Sequence, residues 1–213
     1  MGISFESAHG SAKKSDLGYL KLEDGINEFR MVGELRPRYA YWKKLRDNNI
    51  PVECLSFDPK EEKFNNLEKD WFKHYFPEER CVWSYVIQVI DKNNELKLCG
   101  LKKKLFDQIM TAARTLGDPT DPEEGWAVKV NKKRTGSHAF NVEYELLQLE
   151  LEKTPLTDEQ KEAFDKVKPI DELVPRMTAD DQHAFIKQAW LEEKEEPNVD
   201  KEAVNELDDD IPF

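Results

Sequence analysis

Within eleven residues, 36 to 46, the chain places five cations (Arg36, Arg38, Lys43, Lys44, Arg46) and three large rings (Tyr39, Tyr41, Trp42), in a protein of formal net charge -12. Flat rings beside positive charges suit nucleic acid: bases stack on the rings while Lys and Arg neutralise phosphates. Alternate residues of a strand share a face. Tyr39, Tyr41 and Lys43 would then lie on one side, with Arg38, Trp42 and Lys44 on the other. The competing reading is an edge strand whose rings pack inward and whose charges are merely solvated. The stretch alone leaves both open.

The surrounding pattern predicts the elements that must carry this stretch. Residues 1 to 18 lack periodicity and read as a mobile arm. Strand signals run over residues 19 to 22, turn at Asp24-Gly25 and resume with Ile26, Phe29, Met31 and Val32. The basic-aromatic stretch is then expected as a partner strand, followed by a turn at Asp47-Asn48-Asn49 and a third strand over 51 to 57. Phe64, Leu67, Trp71, Phe72 and Tyr75 recur at helical spacing and predict an inserted helix between Pro59 and Pro77, more often core than binding face. Residues 81 to 90 form the clearest strand, turning through residues 91 to 94 into 96 to 99. A helical stripe (Leu101, Leu105, Ile109, Ala112, Ala113) carries Lys102, Lys103 and Lys104 outside it. A strand at 126 to 130, a basic turn at Lys132-Lys133-Arg134 and an alternating strand from Phe140 to Leu151 complete residues 19 to 152. Many short strands with one late helix suggest a mainly β fold with added helices: a five-stranded, partly open Greek-key barrel, the OB-fold, with a sandwich as the alternative.

Charge divides the chain. Residues 1 to 140 hold 24 Lys+Arg and 22 Asp+Glu, whereas residues 141 to 213 hold 8 and 22. The acidic pI therefore does not exclude a nucleic-acid partner. Residues 153 to 191 read as helices packing on the barrel, opening with the capping-box pattern Thr157-Asp158-Glu159-Gln160. From 192 to 213, ten acids against two lysines read as a disordered tail. It ends Asp208-Asp209-Asp210-Ile211-Pro212-Phe213, apolar residues and a carboxylate that suit a hydrophobic pocket rimmed by Arg or Lys on a partner protein. Cys54, Cys81 and Cys99 are widely spaced and odd in number, which fits free thiols in a reducing compartment. With no signal peptide or apolar run of spanning length, the expected location is the cytoplasm.

Those last six residues resemble the tip of bacterial single-stranded-DNA-binding proteins, which recruits replication, recombination and repair partners. The body resembles the tailed-phage replication-type single-stranded-DNA-binding proteins. The matching pieces are Gly25-Ile26-Asn27-Glu28-Phe29-Arg30, the strand from Trp83 to Asp91, and Lys103-Lys104-Leu105-Phe106-Asp107-Gln108-Ile109, with a weaker match at residues 125 to 130. The patches fall within residues 20 to 147. The resemblance implies an OB-fold with rings stacking bases in a basic cleft, where Trp83 and Trp126 correspond to aromatic positions and Lys103 and Lys104 to a basic pair. Well-known members hold a structural zinc with one His and three Cys. Here no C-x-x-C occurs, and Cys54, His74, Cys81 and Cys99 follow no usual finger spacing, so no metal or other cofactor is expected.

The combined expectation is a non-enzymatic protein that coats single-stranded DNA, with self-association along the strand. Arg36, Arg38, Lys43, Lys44, Arg46, Lys102, Lys103, Lys104, Lys132, Lys133 and Arg134 would track phosphates. Tyr39, Tyr41, Trp42, Trp83, Tyr85 and Trp126 are the stacking candidates. The rivals are an acidic adaptor or nucleic-acid mimic that binds only proteins, and an RNA-binding module of the same fold.

Overall fold

One 21-residue strand, β1 (Gly25–Leu45), is the spine of the protein. A computed structural model describes residues 17–46, 48–136 and 141–191; most of the N-terminal arm, Ser137 to Phe140, and the tail with its tip lie outside the described residues. The expected three-strand meander is corrected here: residues 26 to 32 and 36 to 45 are two halves of β1, not partners. The chain passes through a bulge between Val32 and Arg36 without reversing. Gly33 makes that possible, with φ +71°; a Cβ there would also meet Val167 Cγ1 at 2.7 Å.

The first half of β1 pairs with β7 (Ala127–Arg134), the middle with β5 (Cys81–Ile90) and the end with β2 (Asn48–Glu53), all antiparallel. β5 continues to β6 (Leu96–Lys102), and β7 to β8 (Val142–Leu146), giving the order β6-β5-β1-β7-β8. The helix α2 (Lys103–Leu116) lies between β6 and β7 in sequence and buries Leu105 and Ile109 in the interior. This is the strand order of a Greek-key five-stranded barrel whose outer strands face each other across an open seam, an OB-like fold. At the seam Gln108 of α2 substitutes for a strand: its Oε1 accepts from Leu146 N at 2.8 Å.

The insertion between β1 and β5 differs from expectation. Only α1 (Trp71–Tyr75) is helical, and residues before it form a small hairpin of β3 (Phe57–Asp58) and β4 (Lys63–Phe64). Asp58 Oδ1 accepts from Lys60 N and Glu61 N, turning the backbone where a helix would have begun. Likewise Lys132, Lys133 and Arg134 are no turn; they pair with Tyr144, Glu143 and Val142 inside the β7–β8 ladder. The last strand stops at Leu146, before a short 3-10 turn at Gln148–Glu150, and Tyr19 makes a single bridge to Leu98.

The barrel interior holds Phe29, Met31, Ile87, Val89, Leu101, Trp126, Val128 and Val130. The opposite sheet face is covered by α3 (Asp158–Phe164) and α4 (Ile170–Leu173): Val32 and Ile90 meet Leu156 and Ala163, and Val86 and Leu98 meet Ile170 and Leu173. The capping box on α3 forms as its sequence predicts. α5 (Ala179–Ile186) buries Ile186 against Tyr41, Val52 and Phe72. Buried amides fasten these helices. Gln88 Nε2 donates to Lys168 O at 2.6 Å, and Gln182 accepts from Trp71 N at 2.7 Å while donating to Glu53 O at 2.8 Å.

Gly125 is fixed by packing. A Cβ there would collide with the Arg30 guanidinium and the Asp121 carbonyl, which are themselves hydrogen-bonded. Neither neighbour can retreat, because Arg30 is buried. Gly125→Ala is expected to cost about 1–3 kcal/mol, read as a fall of several degrees in Tm; an unchanged Tm would contradict this packing.

Candidate nucleic-acid interface

The bulge sets which side chains of β1 face out. Beyond it Arg36, Arg38, Ala40, Trp42 and Lys44 share one face, on which Arg36 and Ala40 are buried, Arg38 is half-buried and Trp42 and Lys44 are exposed. The other carries Pro37, Tyr39 and Tyr41, with Tyr41 turned into the core formed with α1 and α5. Register extends the outward face across neighbours: Arg38 lies opposite Ser84, which lies opposite Lys102. The next rows place Ala40 beside Val82, then Trp42 beside Pro51, then Lys44 beside Asn49. Trp42 is 38% and Val82 56% exposed. Arg38 to Lys44 spans roughly 20 Å along the strand.

The cations fall into two sets. Seven of those singled out from sequence already face an acid: Lys43 with Glu79 at 2.9 Å, Lys103 with Asp107 at 2.6 Å, Lys104 with Glu143 at 3.8 Å, Lys132 with Asp24 at 3.5 Å, Lys133 with Glu145 at 2.9 Å, Arg134 with Asp24 at 3.2 Å, and Arg36 with Glu53 at 3.0 Å. Arg38, Lys44, Arg46 and Lys102 have no carboxylate in ion-pair range among the described residues, nor does Arg80, which the sequence did not single out. The sequence signal for Arg80 was only its place just before the clearest strand. Lys102 reaches across the seam to 5.4 Å from the Tyr144 ring. Burial and then the charge of Lys132 hold its pKa below the ordinary lysine value, a repulsion that an anion between them would relieve.

Arg36 is corrected. It is 3% exposed, bonded to Glu53 beneath α4 and 3.7 Å from Asp171, so it fastens the helical cover and reaches no phosphate. Three rings are corrected as well. Trp126 is fully buried in the barrel with Nε1 donating to Gly117 O at 3.0 Å. Tyr85 is buried with its ring 3.7 Å from Phe106. Tyr41 stacks on Phe72 at 4.6 Å, and burial pushes its pKa up. Each alternates inward on its strand, which leaves no room for a base.

Tyr39 and Trp83 remain half-buried at the mouth of the barrel, 4.8 Å apart, with half-exposed Phe64 lying 5.0 Å from Tyr39 and the Lys103 ammonium 5.9 Å from Trp83. Phe64 is a ring the sequence assigned to a helix stripe and not to the site. Lys103 and Lys104 also line an open groove of about 600 Å³ along α2.

Cys54, Cys81 and Cys99 carry free thiols. Cys99 lies in the barrel interior, where burial pushes its thiol up to about 12, whereas Cys54 lies with Tyr41 and Phe72 at the far end of β1. Among the described residues no three His, Cys, Asp or Glu side chains are grouped to hold a metal ion, and no helix is long and apolar enough to cross a membrane.

Fold and site together define a class: an OB-like barrel with a helical cover and a ring-bearing basic face on its central strands. No family model matches the chain. It is similar to a protein of Escherichia phage T5 named "Probable ssDNA-binding protein", 24% identical over an alignment that covers 96% of this chain and 98% of that one.

Proposed function

We propose that this is a non-enzymatic single-stranded-DNA-binding protein that coats the strand with little sequence preference, acting in the cytoplasm of an infected cell during replication, recombination or repair. The observation that carries the reading is the set of cations with no acid partner among the described residues, Arg38, Lys44, Arg46 and Lys102, beside exposed Trp42 on β1. Phosphates pass along these cations while bases stack on Trp42, and past Lys102 the strand turns around the sheet edge beside Lys103 to the rings at the mouth, on the other face of β1. The relative from phage T5 supports the same ligand. Each stack contributes about 1–3 kcal/mol. With about five phosphates neutralised, log affinity falls against log salt with a slope near about -3.5.

Titrating the intrinsic tryptophan fluorescence with single- and double-stranded DNA at two salt concentrations tests this. Strong quenching by the single strand alone is expected. Equal quenching by the duplex, or salt-independent binding, would falsify the reading; RNA quenching as strongly as DNA would favour an RNA-binding module.

The acidic tail acts as a competitor and a recruiter. Its root lies at the basic end of β1, because Trp190 Nε1 donates to Lys44 O at 3.0 Å one residue before the last one described. At low salt the tail occupies the basic face; DNA displaces it and releases Asp208 to Phe213 for replication and recombination proteins. Deleting residues 192 to 213 should tighten binding at low salt and leave it unchanged at high salt. Unaltered low-salt affinity would remove self-competition from this account.

A further inference from the structure

We infer that the ring stack joining α1 to α5 is a second contact for single-stranded DNA, taking up the strand where it leaves the basic end of β1. This rests on the binding mode proposed above and extends its footprint onto the C-terminal helices. The Trp71 and His183 rings are stacked with centroids 3.8 Å apart and planes 7° from parallel, and Tyr75 lies beside the pair, 5.9 Å from Trp71 and 5.8 Å from His183, with its hydroxyl 2.9 Å from His183 Nε2. His183 covers one face of Trp71, so the Lys69 ammonium, 3.4 Å from the ring centroid, occupies the other. That face is covered only by an exposed, movable side chain, and an indole face can take a flat base in place of a cation. A base entering there stacks on Trp71, and the displaced Lys69, on an exposed position, swings to the adjoining phosphate.

The charge around the stack suits that ligand. Lys69, Lys73 and Lys187 are exposed, and no described carboxylate lies in ion-pair range of any of them. Burial and then the charges of Lys187 and Lys69 hold the His183 pKa below its ordinary value, with Asp180 opposing them. Packing does not require this arrangement, since α1 and α5 are already joined through buried Phe72, Ile186 and Gln182. The two helices that carry the stack also reach the β1 end. The Lys43 ammonium sits 4.1 Å from the ring of Phe76, the residue capping α1, and Trp190 after α5 bonds Lys44.

The test uses the full chain with Lys69→Gln, Lys73→Gln and Lys187→Gln combined, titrated with oligothymidylates of about 8 nucleotides and about 25 nucleotides across a salt series. For the longer strand the salt slope should become shallower by about 2, at roughly 0.7 per lost contact, and fewer nucleotides should be occluded per protein. Affinity for the short strand and Tm should match the wild type. The inference fails if the variant binds the long strand as the wild type does, or if the short strand weakens equally. A wild type that binds neither strand fails the underlying reading first, and this one with it.

Discussion

Replacing Arg38, Lys44 and Lys102 together by Gln should weaken single-stranded DNA binding at low salt on the order of 100-fold and make the salt slope shallower by about 2. These three lie on one face by register and have no acid partner among the described residues. Tm should change little, because Lys44 and Lys102 are exposed and half-buried Arg38 makes no ion pair among the described residues. The informative control is Lys103→Gln, Lys133→Gln and Arg134→Gln. Those side chains already face Asp107, Glu145 and Asp24, so part of their charge is screened before DNA arrives. A smaller loss in the control is expected. Equal loss in both sets would mean that net charge and not this face binds the strand.

A chain ending at residue 152 should fail to fold cooperatively. The cut removes Leu156, Ile170, Leu173 and Ile186, all buried against the sheet or α1. At about 1.5–3 kcal/mol for each such side chain, the loss approaches a whole domain's stability of about 5–15 kcal/mol. It also strands Gln88, which is fully buried, and the Arg36–Glu53 pair beneath α4. The milder probe is Gln182→Ala, expected to cost about 1–3 kcal/mol by leaving Glu53 O, Trp71 N and Phe72 N without their partner. A truncated chain with a sharp, reversible unfolding transition near that of the full chain would show that the helices are an accessory.

The barrel was legible because residues 81 to 90 form a near-continuous apolar run bounded by turn signals and α2 carries a strong apolar stripe. The continuity of β1 was not. Two apolar-and-basic runs in succession read as two paired strands, yet a glycine with positive φ at Gly33 lets one strand bend around a barrel corner without ending. Periodicity also misled at Phe64 and Leu67, where helical spacing arises by coincidence and Asp58 turns the backbone instead. For the site, residue type located the basic-aromatic stretch but not its facing. Tyr41 and Trp42 are adjacent and of similar character; one lies in the core and the other on the surface. Pairing was equally hidden: Glu143 and Glu145 stand across the seam and the ladder from the lysines they screen, far from them in sequence. Only the fold separates cations that are held from cations that are available.

The most direct measurement is photocrosslinking of bromodeoxyuridine-substituted single-stranded DNA to the full chain, with adducts located by mass spectrometry. This account predicts adducts on Trp42 and on Tyr39 or Trp83 at the mouth, reduced in the Arg38, Lys44 and Lys102 variant. Adducts absent from both peptides and confined to the surface of α3 and α4 would contradict it.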